Sequence, residues 1–66
     1  RRAGSEHARS LFVIGTMKAG DVFDAHNVRA IRPGLGLPPR TLSSVLGRKA
    51  KRDIERGEPL RWEDIE

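Results

Sequence analysis

Hydrophobic residues along this sequence fall into short runs, each bounded by glycine, proline or charged residues. Residues 11–14 (Leu-Phe-Val-Ile) form a β-prone run that stops at Gly15, which predicts a buried strand. Short extended segments are also predicted at 22–23 and 28–31, and residues 48–54 alternate in a way that predicts another strand. Runs this short predict a small domain that is mainly β.

Helical signals occur at three places in the chain. Residues 39–47 begin with proline, place aliphatic side chains at i, i+3 and i+4, and end with glycine, which predicts a short helix. Asp24 is a suitable N-cap for one helical turn, and residues 61–65 predict a final turn. The residues predicted to supply most of the core are Leu11, Val13, Val22, Phe23, Val28, Leu42, Val45, Leu46, Ile54, Leu60 and Ile65.

One segment of the sequence occurs twice. Residues 17–28 (MKAGDVFDAHNV) reappear in altered form as residues 54–65 (IERGEPLRWEDI), at a constant offset of 37 residues. The shared positions are structural, because glycine supplies the positive φ of a tight turn and the aliphatic residues supply burial. Two copies predict a domain with a pseudo-two-fold internal repeat and are too few for a solenoid.

Size and composition restrict the class of protein. A domain of 66 residues buries only roughly 60% of its unfolded surface, which leaves little room for a deep catalytic cleft. The absence of cysteine excludes disulfides and zinc-thiolate sites and favours a cytoplasmic protein. No apolar run approaches the roughly 20 residues of a membrane span, and no signal peptide is evident, so we expect no membrane contact.

The first residues of the sequence differ from the rest. Residues 1–8 are polar and without period, which predicts a linker or a disordered N-terminal segment followed by one domain at 9–66. Because the sequence begins at Arg1 and not at Met, we expect it to be part of a longer chain.

The formal charge of +4 raises the question of nucleic-acid binding. The densest basic run, residues 48–52, is followed at once by Asp53 and Glu55, which is typical of a solvated face. Aromatic residues that could stack on bases are few, with one Trp, two Phe and no Tyr. We therefore expect no nucleic-acid partner. Binding to nucleic acid would be indicated by an affinity that falls steeply as the salt concentration rises.

Several stretches, in a fixed order and spacing, carry a resemblance to a known family. They are Arg9-Ser10-Leu11, Met17-Lys18-Ala19-Gly20-Asp21, Ile31-Arg32-Pro33-Gly34 with Gly36 and Pro38 behind it, Val45-Leu46-Gly47-Arg48-Lys49-Ala50, and Asp53-Ile54-Glu55-Arg56-Gly57. Together they resemble the C-terminal SAF, or antifreeze-like, domain of sialic acid and other nonulosonic acid synthases. The resemblance implies a β-clip fold, as in type III antifreeze proteins, made of short strands with one or two short helical turns.

Two details refine this resemblance. Residues 28–37 and 59–62 look closer to pseudaminic acid synthases than to sialic acid synthases, since Ile31 stands where a Lys often precedes Arg-Pro-Gly. At residues 15–17, Gly-Thr-Met replaces the family's usual charged residue and Asp-Ile, which the second copy keeps as Asp53-Ile54. The departure affects the first turn and leaves the central loop intact.

The resemblance also implies a function. Such synthases condense phosphoenolpyruvate with an N-acetylated amino sugar in a (β/α)8 barrel that holds a divalent metal, and this chain contains no barrel sequence. The SAF domain lies over the barrel mouth of the partner subunit in a domain-swapped homodimer, and an arginine contacts the N-acetyl group of the sugar. The matching position is Arg32, with Pro33, Gly34 and Gly36 shaping its loop. The domain alone is then expected to be non-catalytic and to bind no cofactor.

Arg32 also has a physical case as a substrate-binding residue. Proline restricts the backbone beside it, so its guanidinium donors can be positioned in advance for a carbonyl oxygen. A desolvated charge-assisted hydrogen bond of this kind contributes about 1.5–3 kcal/mol. By composition alone, a surface arginine beside a turn is the better explanation of this residue, and it is the family resemblance that favours substrate contact.

Alternatives to the synthase hypothesis remain at this point. A generic SAF module of a pilus or flagellar assembly factor would be non-enzymatic and would give Arg32 no special role. Ice binding requires a flat surface of uncharged residues. The first repeat copy carries the charged residues Lys18, Asp21 and Asp24, which disfavour ice binding.

Other residues with functional chemistry are expected to be structural or solvated. Gly34 and Gly36 complete no phosphate-binding pattern, and neither His7 nor His26 has a second ligand at metal spacing. We expect Trp62 to be a core or interface anchor. The carboxylates expected to serve caps and turns are Asp24, Glu63 and Asp64.

Overall fold

A computed structural model of the chain describes residues 8–66. Of the predicted linker at 1–8, only Ala8 is within these residues, and it is exposed. The strand β1 (Ser10–Val13) pairs antiparallel with β2 (Val28–Ile31), in a register that places Ser10 opposite Ile31 and Val13 opposite Val28. The two strands therefore confirm the extended segments predicted at 11–14 and 28–31, with β1 beginning and ending one residue earlier.

All four residues of β1 are buried, and the strand is hydrogen-bonded along both edges. One edge faces β2, and the other binds backbone groups from later in the chain. The Leu11 N–H donates to the Leu37 carbonyl at 2.9 Å, the Leu60 N–H donates to the Leu11 carbonyl at 2.9 Å, and the Val13 N–H donates to the Glu58 carbonyl at 3.0 Å. The first strand is thus the centre around which the rest of the chain is arranged.

The predicted helix at 39–47 is present but divided. A 3₁₀ helix (Pro39–Thr41) leads into one α-helical turn, α1 (Leu42–Val45), and the chain then turns at Gly47 with φ of 91°. A second 3₁₀ helix (Trp62–Asp64) confirms the predicted final turn. Residues 25–27 form a hydrogen-bonded turn, which Asp24 caps by accepting the His26 N–H at 2.8 Å.

The predictions of strands at 22–23 and 48–54 are wrong. Val22 pairs with Lys49 only as an isolated bridge, and the chain bends at residues 51–52. Each of these segments meets its neighbour for one or two residues before a turn redirects the backbone, so the hydrogen-bonded ladder cannot extend. The alternation over 48–54 reflects which side chains face the core at those single bridges.

The repeat in the sequence is a repeat in the structure. At its centre Met17 and Ile54, which are equivalent residues of the two copies, exchange two backbone hydrogen bonds of 2.8 Å. The glycines of the two turns, Gly20 and Gly57, have φ of 94° and 93°, in the left-handed region that glycine adopts without strain. Other hydrogen bonds recur 37 residues apart: Gly20 N–H to Ala50 O with Gly57 N–H to Val13 O, and Phe23 N–H to Arg48 O with Leu60 N–H to Leu11 O. The predicted pseudo-two-fold relation is therefore confirmed.

The core differs from its prediction at a few positions. Val22 and Leu46 are 45% and 39% exposed, and Leu42 is only partly buried. Leu46 leaves the helical conformation (φ −60°, ψ 133°), so the i+4 spacing no longer places it beside Leu42. Val22 points away from the core because the neighbouring Phe23 is fully buried. The buried core of the described residues consists of Leu11, Val13, Met17, Phe23, Val28, Leu37, Val45, Ala50, Ile54, Leu60 and Ile65.

A buried carboxylate within the second repeat copy is paired with an arginine that precedes that copy. The side chain of Asp64 is 2% exposed and accepts hydrogen bonds from Arg52 Nε at 2.9 Å and from the Arg61 N–H at 3.1 Å. Arg52 also donates from Nη2 to Glu58 at 2.9 Å. The hydrogen bonds to Glu58 and then to Asp64 raise the pKa of Arg52, and the hydrogen bond from Arg52 lowers the pKa of Glu58. We name Arg52, Glu58 and Asp64 the Arg52 network.

Within residues 8–66, no helix combines the length and the hydropathy that crossing a bilayer requires.

Candidate functional site

The predicted site residue Arg32 lies at the start of an irregular loop. We define the Arg32 loop as residues 32–37, which follow β2 directly and lead towards the 3₁₀ helix. The Arg32–Pro33 peptide bond is cis. The Arg32 side chain is exposed, and no residue within 8–66 forms a hydrogen bond or ion pair with its guanidinium. Its donors therefore face outward from this part of the chain.

The loop that carries Arg32 is fixed by a buried serine. Ser10 is 1% exposed, and its hydroxyl donates to the Pro33 carbonyl at 2.8 Å. The same oxygen accepts the Gly36 N–H at 3.0 Å. Inside the loop, the Leu35 N–H donates to the Pro33 carbonyl at 3.0 Å. One hydroxyl thus joins the two ends of the segment between Pro33 and Gly36.

Gly36 brings the loop against the backbone of the core. A Cβ atom at this position would lie 2.8 Å from the carbonyl oxygens of Leu11 and Leu60 and 2.9 Å from the Leu60 nitrogen. The φ of Gly36 is outside the left-handed region, so the loop does not need glycine here for its backbone conformation. Gly36 allows the loop backbone to approach the core backbone closely, since only a residue without a side chain fits over the Leu11–Leu60 hydrogen bond.

The next residue completes the attachment of the loop. Leu37 is buried, its carbonyl accepts the Leu11 N–H at 2.9 Å, and its own N–H donates to the Leu60 carbonyl at 2.9 Å. The loop therefore inserts between the first strand and the second repeat copy and is held at both ends.

Exposed aliphatic side chains flank the arginine. Ile31, the last residue of β2, is 38% exposed, and Leu35 in the loop is 61% exposed, so two exposed aliphatic residues lie close to Arg32 in the chain. A surface of this kind suits a ligand or partner that offers a hydrogen-bond acceptor together with apolar area. Gly34, between them in the chain, is half-buried.

The other candidate residues are structural, exposed or outside the described part of the chain. His7 lies outside the described residues, and His26 is exposed. Asp24 and Asp64 bind backbone N–H groups, as predicted, whereas Glu63 is exposed. Trp62 is 48% exposed and so is not a core residue. Within residues 8–66, no group of three His, Cys, Asp or Glu side chains could hold a metal ion.

Sequence reasoning missed Ser10 as a member of the site. It lies 23 residues before Pro33 in the chain, and a serine ahead of a hydrophobic run is an ordinary sequence feature. Only the antiparallel register, which brings Ser10 opposite Ile31, places its hydroxyl under the loop.

Comparison with known proteins places this architecture in a family. The SAF domain family matches residues 8–66, which is nearly the whole chain. The chain belongs to the SAF domain family. This agrees with the fold, in which short antiparallel segments and brief helical turns are related by a pseudo-two-fold repeat.

Several bacterial relatives of this SAF domain are similar in sequence. It is 42% identical over 58 residues to the pseudaminic acid synthase of Campylobacter jejuni, a match that covers 88% of this chain and 17% of that protein. It is also 42% identical over 59 residues to the pseudaminic acid synthase of Helicobacter pylori, covering 89% of this chain and 17% of that protein. The SAF domain thus spans about a sixth of the length of these relatives.

Solved structures share its fold. An antifreeze protein-like domain from the human N-acetylneuraminic acid phosphate synthase gene superposes with a TM-score of 0.83 at 14% identity, covering 98% of this chain and 82% of that domain. The spore coat polysaccharide biosynthesis protein of Bacillus subtilis gives a TM-score of 0.81 at 32% identity, covering 88% of this chain and 17% of that protein. The fold expected from the resemblance is therefore confirmed.

Proposed function

We propose that this SAF domain is the C-terminal capping domain of a nonulosonic acid synthase of the pseudaminic acid type. The sequence support is the 42% identity to two pseudaminic acid synthases over most of this chain. The relatives' much greater length leaves room for the (β/α)8 barrel in which the chemistry would occur. The SAF domain itself supplies no catalytic group in this proposal.

The observation that carries the proposal is an exposed arginine on a rigidly attached loop. Arg32 has no partner within residues 8–66, while Ser10, Leu11 and Leu60 hold its loop in place. In the proposed homodimer this loop lies over the barrel mouth of the partner subunit. The Arg32 guanidinium there donates to the N-acetyl carbonyl of the acceptor sugar, and the domain excludes water from the site.

Such a contact acts by positioning. An acceptor sugar held in one orientation reacts with phosphoenolpyruvate without a further entropic cost, and closure by the domain commits it to reaction. We assign the divalent metal to the barrel. The exposed Leu35 in the loop and Ile31 at the end of β2 offer apolar area for contact with the partner subunit.

We assign the synthase to the cytoplasm. The chain contains no cysteine, which suits a reducing compartment where disulfides do not form. Arg52, in the densest basic run, is paired with Glu58 and Asp64, and we assign the domain neither a nucleic-acid nor a membrane partner.

The test is an activity assay of the full gene product. Purified protein is incubated with phosphoenolpyruvate, a divalent metal, and the acceptor sugar of either pseudaminic acid or sialic acid synthases. We expect metal-dependent release of inorganic phosphate, and a condensed sugar acid by mass spectrometry, with the pseudaminic acid precursor preferred. No product with any N-acetylated amino sugar would contradict the proposal and would favour a non-enzymatic SAF module of an assembly factor.

A further inference from the structure

Ser10 is joined to the chain on both sides of Arg32. Through its backbone it pairs with Ile31, the residue before Arg32. Through its side chain it donates to the carbonyl of Pro33, the residue after Arg32, at 2.8 Å. One buried residue of the first strand therefore holds the backbone on both sides of Arg32.

The hydroxyl of Ser10 uses both of its bonding modes. It donates to Pro33 and accepts the Gly36 N–H at 3.0 Å, which is how a buried hydroxyl is satisfied. The strand that contains Ser10 is buried along its whole length and hydrogen-bonded at both edges, so neighbouring segments hold the anchor on both sides. Alanine at this position would leave the Gly36 N–H without its acceptor.

We propose that Ser10 is a positioning residue for Arg32, and that its hydroxyl sets the orientation in which the Arg32 loop meets the acceptor sugar. The inference rests on the proposed function for the part that concerns the sugar. Its structural part, that the hydroxyl restrains residues 33–36, can be tested on this chain alone. The two parts are therefore tested by different measurements.

The first measurement is amide hydrogen exchange of this chain by NMR, comparing the wild type with Ser10→Ala and Ser10→Cys. The cysteine variant fills the serine's space but bonds weakly, so it serves where alanine disturbs folding. We expect the Gly36 amide to exchange at least about ten-fold faster in either variant, while the Met17 and Ile54 amides at the pseudo-axis change little. Unchanged exchange at Gly36 would overturn the proposal, whatever the enzyme does.

The second measurement is steady-state kinetics of the full gene product. We expect Ser10→Ala to raise the acceptor-sugar KM roughly five- to ten-fold and to leave the phosphoenolpyruvate KM within about two-fold. The matched control is Thr41→Val, which removes a hydroxyl that donates to Pro38 at 2.7 Å and serves the start of the 3₁₀ helix. An equal rise in both KM values for Ser10→Ala, or the same rise for Thr41→Val, would contradict a positioning role.

A double-mutant cycle shows whether Ser10 acts through Arg32. In an Arg32→Ala background, Ser10→Ala is expected to change the acceptor KM by less than about two-fold, because the group it positions is gone. A full additional rise in that background would overturn the inference while leaving the proposed function in place. If Arg32→Ala alone leaves the acceptor KM unchanged, the proposed sugar contact fails, whereas the exchange result for Gly36 still stands by itself.

Discussion

Gly36→Ala is expected to destabilise the chain by at least about 2 kcal/mol, at the upper end of the cost of overpacking a core. The added Cβ would lie 2.8–2.9 Å from three backbone atoms of Leu11 and Leu60, and no side-chain rotation can relieve contacts with backbone. The neighbouring Leu37 bonds, which attach the loop to the first strand and the second repeat copy, would have to lengthen. For a chain of this size each kcal/mol lowers the melting temperature by roughly 4–8 °C.

The matched control for this prediction is Gly15→Ala. Gly15 has nothing within 4 Å of its Cβ position and no left-handed φ, so the same substitution there is expected to be nearly neutral. Thermal unfolding followed by circular dichroism compares the two variants with the wild type. Equal melting temperatures for the Gly36 and Gly15 variants would show that Gly36 is not needed for close approach.

The second large effect concerns the Arg52 network. We expect Arg52→Ala to lower the melting temperature clearly, because it leaves the buried carboxylate of Asp64 without its charged partner. Adding Asp64→Asn should recover much of that loss. An amide is neutral and needs no countercharge, yet its oxygen can still accept the Arg61 N–H that Asp64 now accepts at 3.1 Å.

The first repeat copy already contains this neutral solution. Asn27 is the equivalent of Asp64, and its side-chain oxygen accepts the Asp24 N–H at 2.9 Å, while its amide donates to the Val22 carbonyl at 2.9 Å. The residue equivalent to Arg52 is Gly15, so that copy has no countercharge and requires none. If the double variant melts no higher than Arg52→Ala, the buried charge is not what makes Arg52 necessary. Urea unfolding of the wild type, both single variants and the double variant measures the coupling.

Features that depend on residues close together in the sequence, or on a visible repeat, could be predicted from the sequence. The repeat at an offset of 37 residues, the two paired strands and the proline-to-glycine helix segment depend on local patterns, and all are present. The wrong strand at 48–54 and the exposed Leu46 also come from local patterns, but there the tertiary path of the chain decides. Periodicity cannot show that a bridge will stop after one residue pair or that a helix will end before its last aliphatic residue.

In the candidate site, too, the local motif could be predicted and the long-range contacts could not. Arg32 and its proline-glycine loop are recognisable from the motif alone, and the structure has an irregular, exposed segment at Arg32. The attachment of the loop is not recognisable, because it depends on Ser10, Leu11 and Leu60, which lie far from it in sequence. The motif identifies Gly36 as a loop-shaping residue but gives no reason for it. The reason is the lack of space above the Leu11–Leu60 hydrogen bond, which involves residues distant in sequence.

The measurement that tests the central claim most directly is the kinetics of Arg32→Ala in the full gene product. Loss of a charge-assisted hydrogen bond of about 1.5–3 kcal/mol corresponds to roughly a ten- to hundred-fold loss in acceptor-sugar kcat/KM. We expect that loss with the phosphoenolpyruvate KM nearly unchanged. Arg29→Ala is the control, since Arg29 is an exposed arginine on β2 outside the loop and should behave as the wild type. An equal loss for both substrates, or no loss at all, would contradict a direct contact between Arg32 and the acceptor sugar.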